Sequence, residues 1–561
     1  MKKLLVLLVA LSLLITVLAG CGGGADTGNA TGGEVVTVAP VTAAADTYAD
    51  GDYKDVTTET PNAEITLSGG TGTLSDTTRG ASGSTVTITS KGIYRVTGSS
   101  ENVQITVNDS TKSGNVYLVL EDVTMTNAGA PCILVEDADK VILQVVGDCA
   151  LTASGSEAVK AKDDLTVNGS GSLTVTGDGD GISCNNDLRV TGAALTVNAG
   201  KIGLSAGDSV SIGGGTVTIT AGHDGVQLRN DTGDSVFNLT DGTLTINAGY
   251  DGIDVGTDAA TFTGSLNLTG GKATVTAGGG SANGKTETSQ KGLKCDGAVN
   301  IGDVALTVDA ADDAISAGAD VNITAGVSTL SSSDDGIHAD ATLNVAGGTL
   351  TVAKSYEGLE AETVNLTGGS VSVTSSDDGV NAAGGSDSTS TEAGPWGGSA
   401  TGTLNVTGGT VYVNAGGDGL DSNGSLYVTG GTVIVEGPTD SGNGALDAGD
   451  GPDCVCSVTG GTVLALGSSG MAVNFNTGSQ PSALVAVSVS AGDVITVDDG
   501  SGFTFTATKS FSTAVYSSPS LQQGKTYTLT VGNTDVTLDF SSGLYYSAAG
   551  TMGGNKGGRG F

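Results

Sequence analysis

The stretch Asp335-Gly336-Ile337-His338-Ala339-Asp340-Ala341-Thr342-Leu343-Asn344-Val345-Ala346-Gly347-Gly348-Thr349-Leu350-Thr351-Val352, followed by Glu357-Gly358-Leu359, contains one whole repeat and the start of the next. Leu343/Val345 and Leu350/Val352 are apolar pairs with a polar residue between, the alternation of a half-buried strand. Gly347-Gly348 separates the two pairs as a turn. Moving outward, Asp180-Gly181-Ile182, Asp224-Gly225-Val226, Asp251-Gly252-Ile253, Asp378-Gly379-Val380 and Asp418-Gly419-Leu420 repeat the opening triplet. With Ala158, Gly203, Gly292, Ala314, Gly358 and Ala445 as weaker copies, twelve small anchor residues follow one another. Their spacings are 23, 22, 22, 27, 40, 22, 22, 22, 21, 40 and 26, so the base period is 22 residues. Such periodicity marks a solenoid, and helical repeats would need apolar residues three and four apart over longer runs. The expectation is an all-β chain of stacked parallel strands, three short strands per coil, about twelve coils and on the order of 55–60 Å long.

Outside the repeat, residues 51–130 and 476–548 carry strand-like runs off the period and are expected to form β-rich N- and C-terminal caps, leaving 131–475 as the repeat body. Residues 21–50 read as a Gly/Ala/Thr tether and 549–561 as a disordered tail. At the front, Met1-Lys2-Lys3, an apolar run from Leu4 to Leu18 and Leu18-Ala19-Gly20-Cys21 read as an export signal ending in a cleavage site. A cysteine after Leu-Ala-Gly resembles the lipobox of bacterial lipoproteins. That resemblance implies lipidation of Cys21 and retention of an exported protein on the outside of the cytoplasmic membrane or the cell surface.

There are 60 acidic and 22 basic residues; loss of the first twenty would leave 20 basic residues and a net charge of −40. Such a charge excludes nucleic acid as a natural partner. It also repels acidic polymers unless multivalent cations lie between the two surfaces. The six cysteines beyond Cys21 show no metal-binding spacing; Cys454 and Cys456 are expected to point inward with Val458 as small apolar residues.

A solenoid turns a sequence position into a spatial column. The residue before the anchor is acidic in nine of twelve copies, among them Glu157 and Glu357, with further carboxylates at Asp312, Asp334, Asp377, Glu360 and Asp447. Like charges one strand apart repel, and hard divalent cations relieve this with oxygen ligands. Several Ca2+ ions are therefore expected along the edge. The candidate ligands are Asp180, Asp224, Asp251, Asp313, Asp335, Asp378 and Asp418, with Asp254 and Asp421 two positions past their anchors. The alternative is that Asp-Gly is turn chemistry on a solvated corner.

The long periods carry extra residues at 227–234, 277–288 and 382–399, all beside the acidic edge, which in repeat proteins marks the working face. These loops and their neighbours supply Trp396, the sole tryptophan, with Tyr250 and Tyr356 as candidates to stack on sugars. In one repeat Lys291 and Lys294 replace the acids. They compensate local charge or, in a sharper reading, hold or deprotonate an acidic sugar together with calcium. His223 and His338, the only histidines, are accompanied by no nucleophile elbow, which argues against Ser-His-Asp chemistry.

Gly92-Ile93-Tyr94-Arg95-Val96-Thr97-Gly98, the stretch Ile133-Leu134-Val135-Glu136-Asp137-Ala138-Asp139-Lys140-Val141 and the Asp-Gly-Ile repeats resemble a family of exported clostridial-type carbohydrate-binding β-helix proteins. Ser517-Ser518-Pro519 with Gly524-Lys525-Thr526-Tyr527 is similar to that family's C-terminal end. The resemblance covers nearly all of the chain after Cys21. It implies a right-handed parallel β-helix with bound calcium, similar to pectate lyases, that binds cellulose and acidic, pectin-like sugars without demonstrated cleavage. Polysaccharide binding is the first expectation; a calcium-dependent lyase and a non-catalytic structural adhesin are the alternatives.

Overall fold

The computed structural model describes residues 48–548 except 231, 258–260, 262 and 384–401. The described chain is all-β, with two short 3-10 turns, Asp50–Asp52 and Thr77–Arg79, and no α-helix. Most strands belong to one large sheet dominated by parallel pairs.

The 22-residue period appears directly as register. Ile315 lies opposite Ile337, Val321 opposite Leu343 and Val327 opposite Thr349, so three strands of one repeat pair in parallel with the three of the next. The following repeat is one residue short, and the ladder absorbs this by a register shift between Ala339 and Thr342. The 40-residue spacing leaves the ladder intact, because Ile253 pairs with Leu293 and the extra residues leave at the corner after the strand Lys272–Ala277. Period-two alternation places Ile337, Ala339, Leu343, Val345, Leu350 and Val352 inside, all essentially inaccessible to water. One continuous apolar cluster runs from Ala63 to Val515.

Two local features explain the glycines. Gly348, second of its pair, turns the corner with φ +74°, a left-handed conformation that disfavours a side chain. At the anchors the constraint is space: a methyl on Gly292 would lie 2.6 Å from the Ala314 carbonyl oxygen and closer still to Val308 Cγ1.

Residues 63–128 join the same sheet, with Ile105 opposite Ile133 and Val116 opposite Val141. Their outer end carries antiparallel pairs, Ala63–Gly69 with Thr71–Leu74 and Gly80–Ala81 with Thr85–Ile88. The turn at Asp52 folds back over the sheet, where this fully buried carboxylate takes a 2.8 Å ion pair from Lys140 and a 2.7 Å hydrogen bond from the Thr166 hydroxyl. At the other end Phe511–Ser517 runs antiparallel to Cys456–Gly467, capping an edge that would otherwise invite further strands. A separate four-stranded antiparallel sheet, Val494–Val497, Thr504–Thr506, Thr526–Val531 and Thr534–Asp539, packs its own apolar cluster there.

Cys132, Cys149, Cys184, Cys295 and Cys456 are buried free thiols. Cys454 is only half-buried, because it lies in the bend before the strand starts at Cys456 and the strand alternation does not extend to it.

Candidate functional site

The residues before the anchors do form a column. From Gly225 to Gly379 each anchor N–H donates to the carbonyl of the residue before the next anchor: Gly225 to Asp251, Gly252 to Lys291, Gly292 to Asp313, Ala314 to Asp335, Gly336 to Glu357, Gly358 to Asp378 and Gly379 to Asp418, all at 2.9–3.0 Å. Beside it runs a second column, two positions past each anchor, in which Gln227, Asp254, Lys294, Ser316, His338, Glu360, Asn381 and Asp421 are successive neighbours. These two columns bring together Asp224, Asp251, Asp254, Asp313, Asp335, Asp378, Asp418 and Asp421, and they divide into sectors by charge.

In the first sector, carboxylates are matched by bases. Asp254 pairs with Arg229, and Lys294 Nζ lies 3.2 Å from Asp251 Oδ2 and 3.7 Å from Asp254 Oδ2. Lys291 pairs with Asp313 and approaches Asp312 Oδ1 at 3.6 Å, while Lys285, on the 277–288 insertion, pairs with Asp334. Asp251 is further held by the Ser289 hydroxyl and the Lys291 N–H, both at 2.8 Å. Burial disfavours the charge on Lys294, but Asp251 and Asp254 outweigh it and raise its pKa. Arg229 and Lys285 were missed at the sequence level because one sits off the repeat offset and the other on an insertion. Both lysine candidates, Lys291 and Lys294, are thus engaged by carboxylates.

His338 marks the boundary. Its Nδ1 lies 2.7 Å from Glu360 Oε2 and 3.5 Å from Asp335 Oδ2, and its Nε2 lies 3.2 Å from Asp340 Oδ1. In the sequence this histidine bears only on Ser-His-Asp chemistry; the signal for its real surroundings is its place two positions past an anchor.

Among the described residues no Lys, Arg or His pairs with Glu357, Asp378, Asp418, Asp421 or Asp447. Burial first, and then the neighbouring carboxylates Asp447, Asp418 and Asp378, push the Asp421 carboxyl up to about 8. Asp418 is pushed up to about 7 by burial and by Asp378 and Asp447, against a hydrogen bond from the Gly444 N–H. Glu357 rises to about 7 and Asp378 to about 6, again led by burial. Between Glu360 and Asp421 in the ladder sits Asn381, whose amide donates to Glu357 Oε2 at 2.9 Å while its own oxygen is buried without a hydrogen-bond partner. Asn381 was not singled out from sequence.

Asp180 and Asp224 lie at the opposite end. Asp224 is pushed up to about 6 by burial and by Asp251, against hydrogen bonds from the Asp251 N–H and Gln227. Asp180 is raised by burial and accepts from the Ile202 N–H at 3.3 Å. Tyr250 and Tyr356 are both exposed, two residues before their anchors. The Tyr250 ring stacks on His223, centroids 4.6 Å apart and planes 21° apart. Trp396 and Cys21 lie outside the described residues.

The model for carbohydrate-binding domain-containing proteins matches residues 82–336 and 328–379, more than half of the chain, and the chain is a member of that family. The matched span contains the base-matched sector and Asp378; Asp418 and Asp421 lie beyond it. Among solved structures, the gadolinium derivative of the polysaccharide lyase-like protein from C. thermocellum is similar at 24% identity, with a TM-score of 0.34, over 51% of this chain and 97% of that one. No curated protein matches.

Proposed function

We propose that the chain is a calcium-loaded polysaccharide-binding protein, exported and held outside the cytoplasmic membrane through a lipid on Cys21. Its repeats wind as a right-handed parallel β-helix of about twelve coils. The observation that carries calcium is the buried Asn381 oxygen without a partner among carboxylates that no base neutralises. Asp378, Asp418 and Asp421, with that amide oxygen and Glu357, offer the all-oxygen, multiply charged donor set that suits Ca2+. Asp180 and Asp224 are weaker candidates of the same kind. Asp251, Asp254 and Asp313 would share any ion with Arg229, Lys291 and Lys294, so calcium is expected to prefer the base-free sector.

Family membership supports carbohydrate as the partner, with cellulose or acidic, pectin-like chains as the class. A bound cation would let this acidic surface approach a uronate, and Tyr250, Tyr356 and Trp396 would supply faces for sugar rings. A lyase would need Lys291 or Lys294 as a neutral amine to take an α-proton, and the carboxylates around Lys294 favour its charged form. The binding reading is therefore preferred, and a non-catalytic adhesin differs from it only in showing no sugar retention.

Calorimetric titration of Ca2+ into the chelator-treated chain, followed by retention on cellulose and on polygalacturonate with and without the metal, tests this. Heat of binding lost in the Asp418→Asn/Asp421→Asn variant, with metal-dependent retention, is the expected result. Equal heat in that variant would remove calcium from this sector, and retention on neither polymer would remove the carbohydrate reading.

A further inference from the structure

We infer that Asp335, His338 and Glu360 form a separate site for one transition-metal ion of the Zn2+ class. This goes beyond the calcium reading and uses different chemistry, since an imidazole nitrogen suits zinc and its neighbours while calcium prefers oxygen alone.

A single ring nitrogen lies at the centre of the cluster. Asp335 Oδ2 and Glu360 Oε2 both face His338 Nδ1, at 3.5 and 2.7 Å. One N–H has one hydrogen, so it serves Glu360 well and Asp335 poorly. A metal ion in place of that hydrogen bonds to all three groups. Tetrahedral zinc with its usual bond lengths needs ligand atoms about 3.4 Å apart. The Asp335 contact already has this separation, and the ligand atoms of the three residues lie within 4.8 Å of one another. The Glu360 carboxylate would retreat by about 0.7 Å, a shift that a side chain ending in a partly exposed carboxylate can make.

Charge points the same way. His338 is buried and one imidazole faces the three carboxylates of Asp335, Glu360 and Asp340, so even in its protonated form the ring leaves the cluster with excess negative charge. Exchanging a proton for a doubly charged ion brings this cluster closer to neutrality, which matters most where water is excluded. The other face is prepared as well: Asp340 Oδ1 lies 3.2 Å from Nε2, the carboxylate–histidine arrangement that orients metal-bound imidazoles. Backbone register holds the parts in place, His338 lying directly opposite Glu360 in adjacent strands and Asp335 three residues before it at the corner. Three protein ligands leave a fourth position for water or a sugar hydroxyl.

Co2+ serves as the probe, because tetrahedral cobalt gives a much stronger visible band than the hydrated ion. Added to the chelator-treated full chain without a histidine tag, one equivalent should develop that band. One equivalent of Zn2+ should abolish it and excess Ca2+ should not. His338→Gln should lose the band, whereas His223→Gln, at the only other histidine, should keep it. Asp340→Asn should keep the band while weakening affinity by about 10–100-fold. The Asp418→Asn/Asp421→Asn variant should also keep it, so loss of the calcium reading would leave this one standing. A wild-type spectrum no different from hydrated cobalt overturns the proposal without recourse to any variant, and so does a band that survives in folded His338→Gln.

Discussion

Asp421, Asp418, Glu357 and Asp378 carry folded-state pKa values of about 8, 7, 7 and 6, each raised by burial and by its neighbours. In the unfolded chain such groups titrate near 4. The folded state therefore holds more protons throughout the interval between, and stability falls as pH rises through it. Without divalent ions the melting temperature should drop between pH 6 and pH 8.5 (about the folded range), and saturating Ca2+ should flatten the profile. A flat metal-free profile would mean these carboxylates are better solvated than their burial indicates. A second residue-scale rule concerns the anchors. Gly181, Gly252, Gly292 and Gly336 all approach a β-branched Val. Where the anchor is Ala314, the residue in register with Val308 is Leu330, and near Ala445 the residue in register with Val435 is Ala465. Ala158, whose counterpart is Val175, departs from this. Adding the methyl alone, Gly292→Ala, should cost about 1–3 kcal/mol in urea unfolding. Val308→Leu should recover part of that loss in the double variant, and additive losses would show that the two positions do not share space.

At the scale of the strand, the outward column Asn238, Asn267, Asn300, Asn322, Asn344, Asn365 and Asn405 forms a ladder in which each amide donates to the preceding one at 2.9–3.1 Å. A member in the middle serves as donor and acceptor at once, so Asn344→Ala breaks two bonds and leaves Asn322 Oδ1 without its donor. Asn405→Ala breaks the one bond it makes to Asn365. Chemical denaturation should show the first variant losing about 1–3 kcal/mol and the second roughly half as much; equal losses would assign the ladder no cooperative role. This ladder went unread in the sequence, although Asn recurs at one offset, because an outward polar residue between two inward apolar ones is the ordinary content of a strand. The period, the alternation and the stacking of the pre-anchor acids were legible because each follows from one repeating offset. Which acids are neutralised was not, since Arg229 reaches the column from another offset and Lys285 from an insertion, while His338, although it stands at a repeating offset, replaces an acid only in its own repeat.

The whole chain carries a net charge of −38, and repulsion of that size opposes any compact state. Two kinds of cation can relieve it, and they differ in how they act. Monovalent salt screens every exposed carboxylate over distances of about 10 Å at 0.1 M, without regard to position. An ion bound among Asp378, Asn381, Asp418 and Asp421 acts on groups that are largely buried, where screening by salt is weak. In chelator, raising NaCl from about 0.01 to 1 M should therefore raise the melting temperature gradually. A few equivalents of Ca2+ at low salt should produce a larger step, and NaCl added afterwards should recover only the part that belongs to the exposed surface. The same calcium step in Asp418→Asn/Asp421→Asn should shrink while the NaCl response is retained, because two substitutions scarcely change the charge of the whole surface but remove two of the carboxylates proposed to hold the ion. If both responses fall together in that variant, calcium is acting as diffuse counter-charge and the acidic edge holds no discrete site.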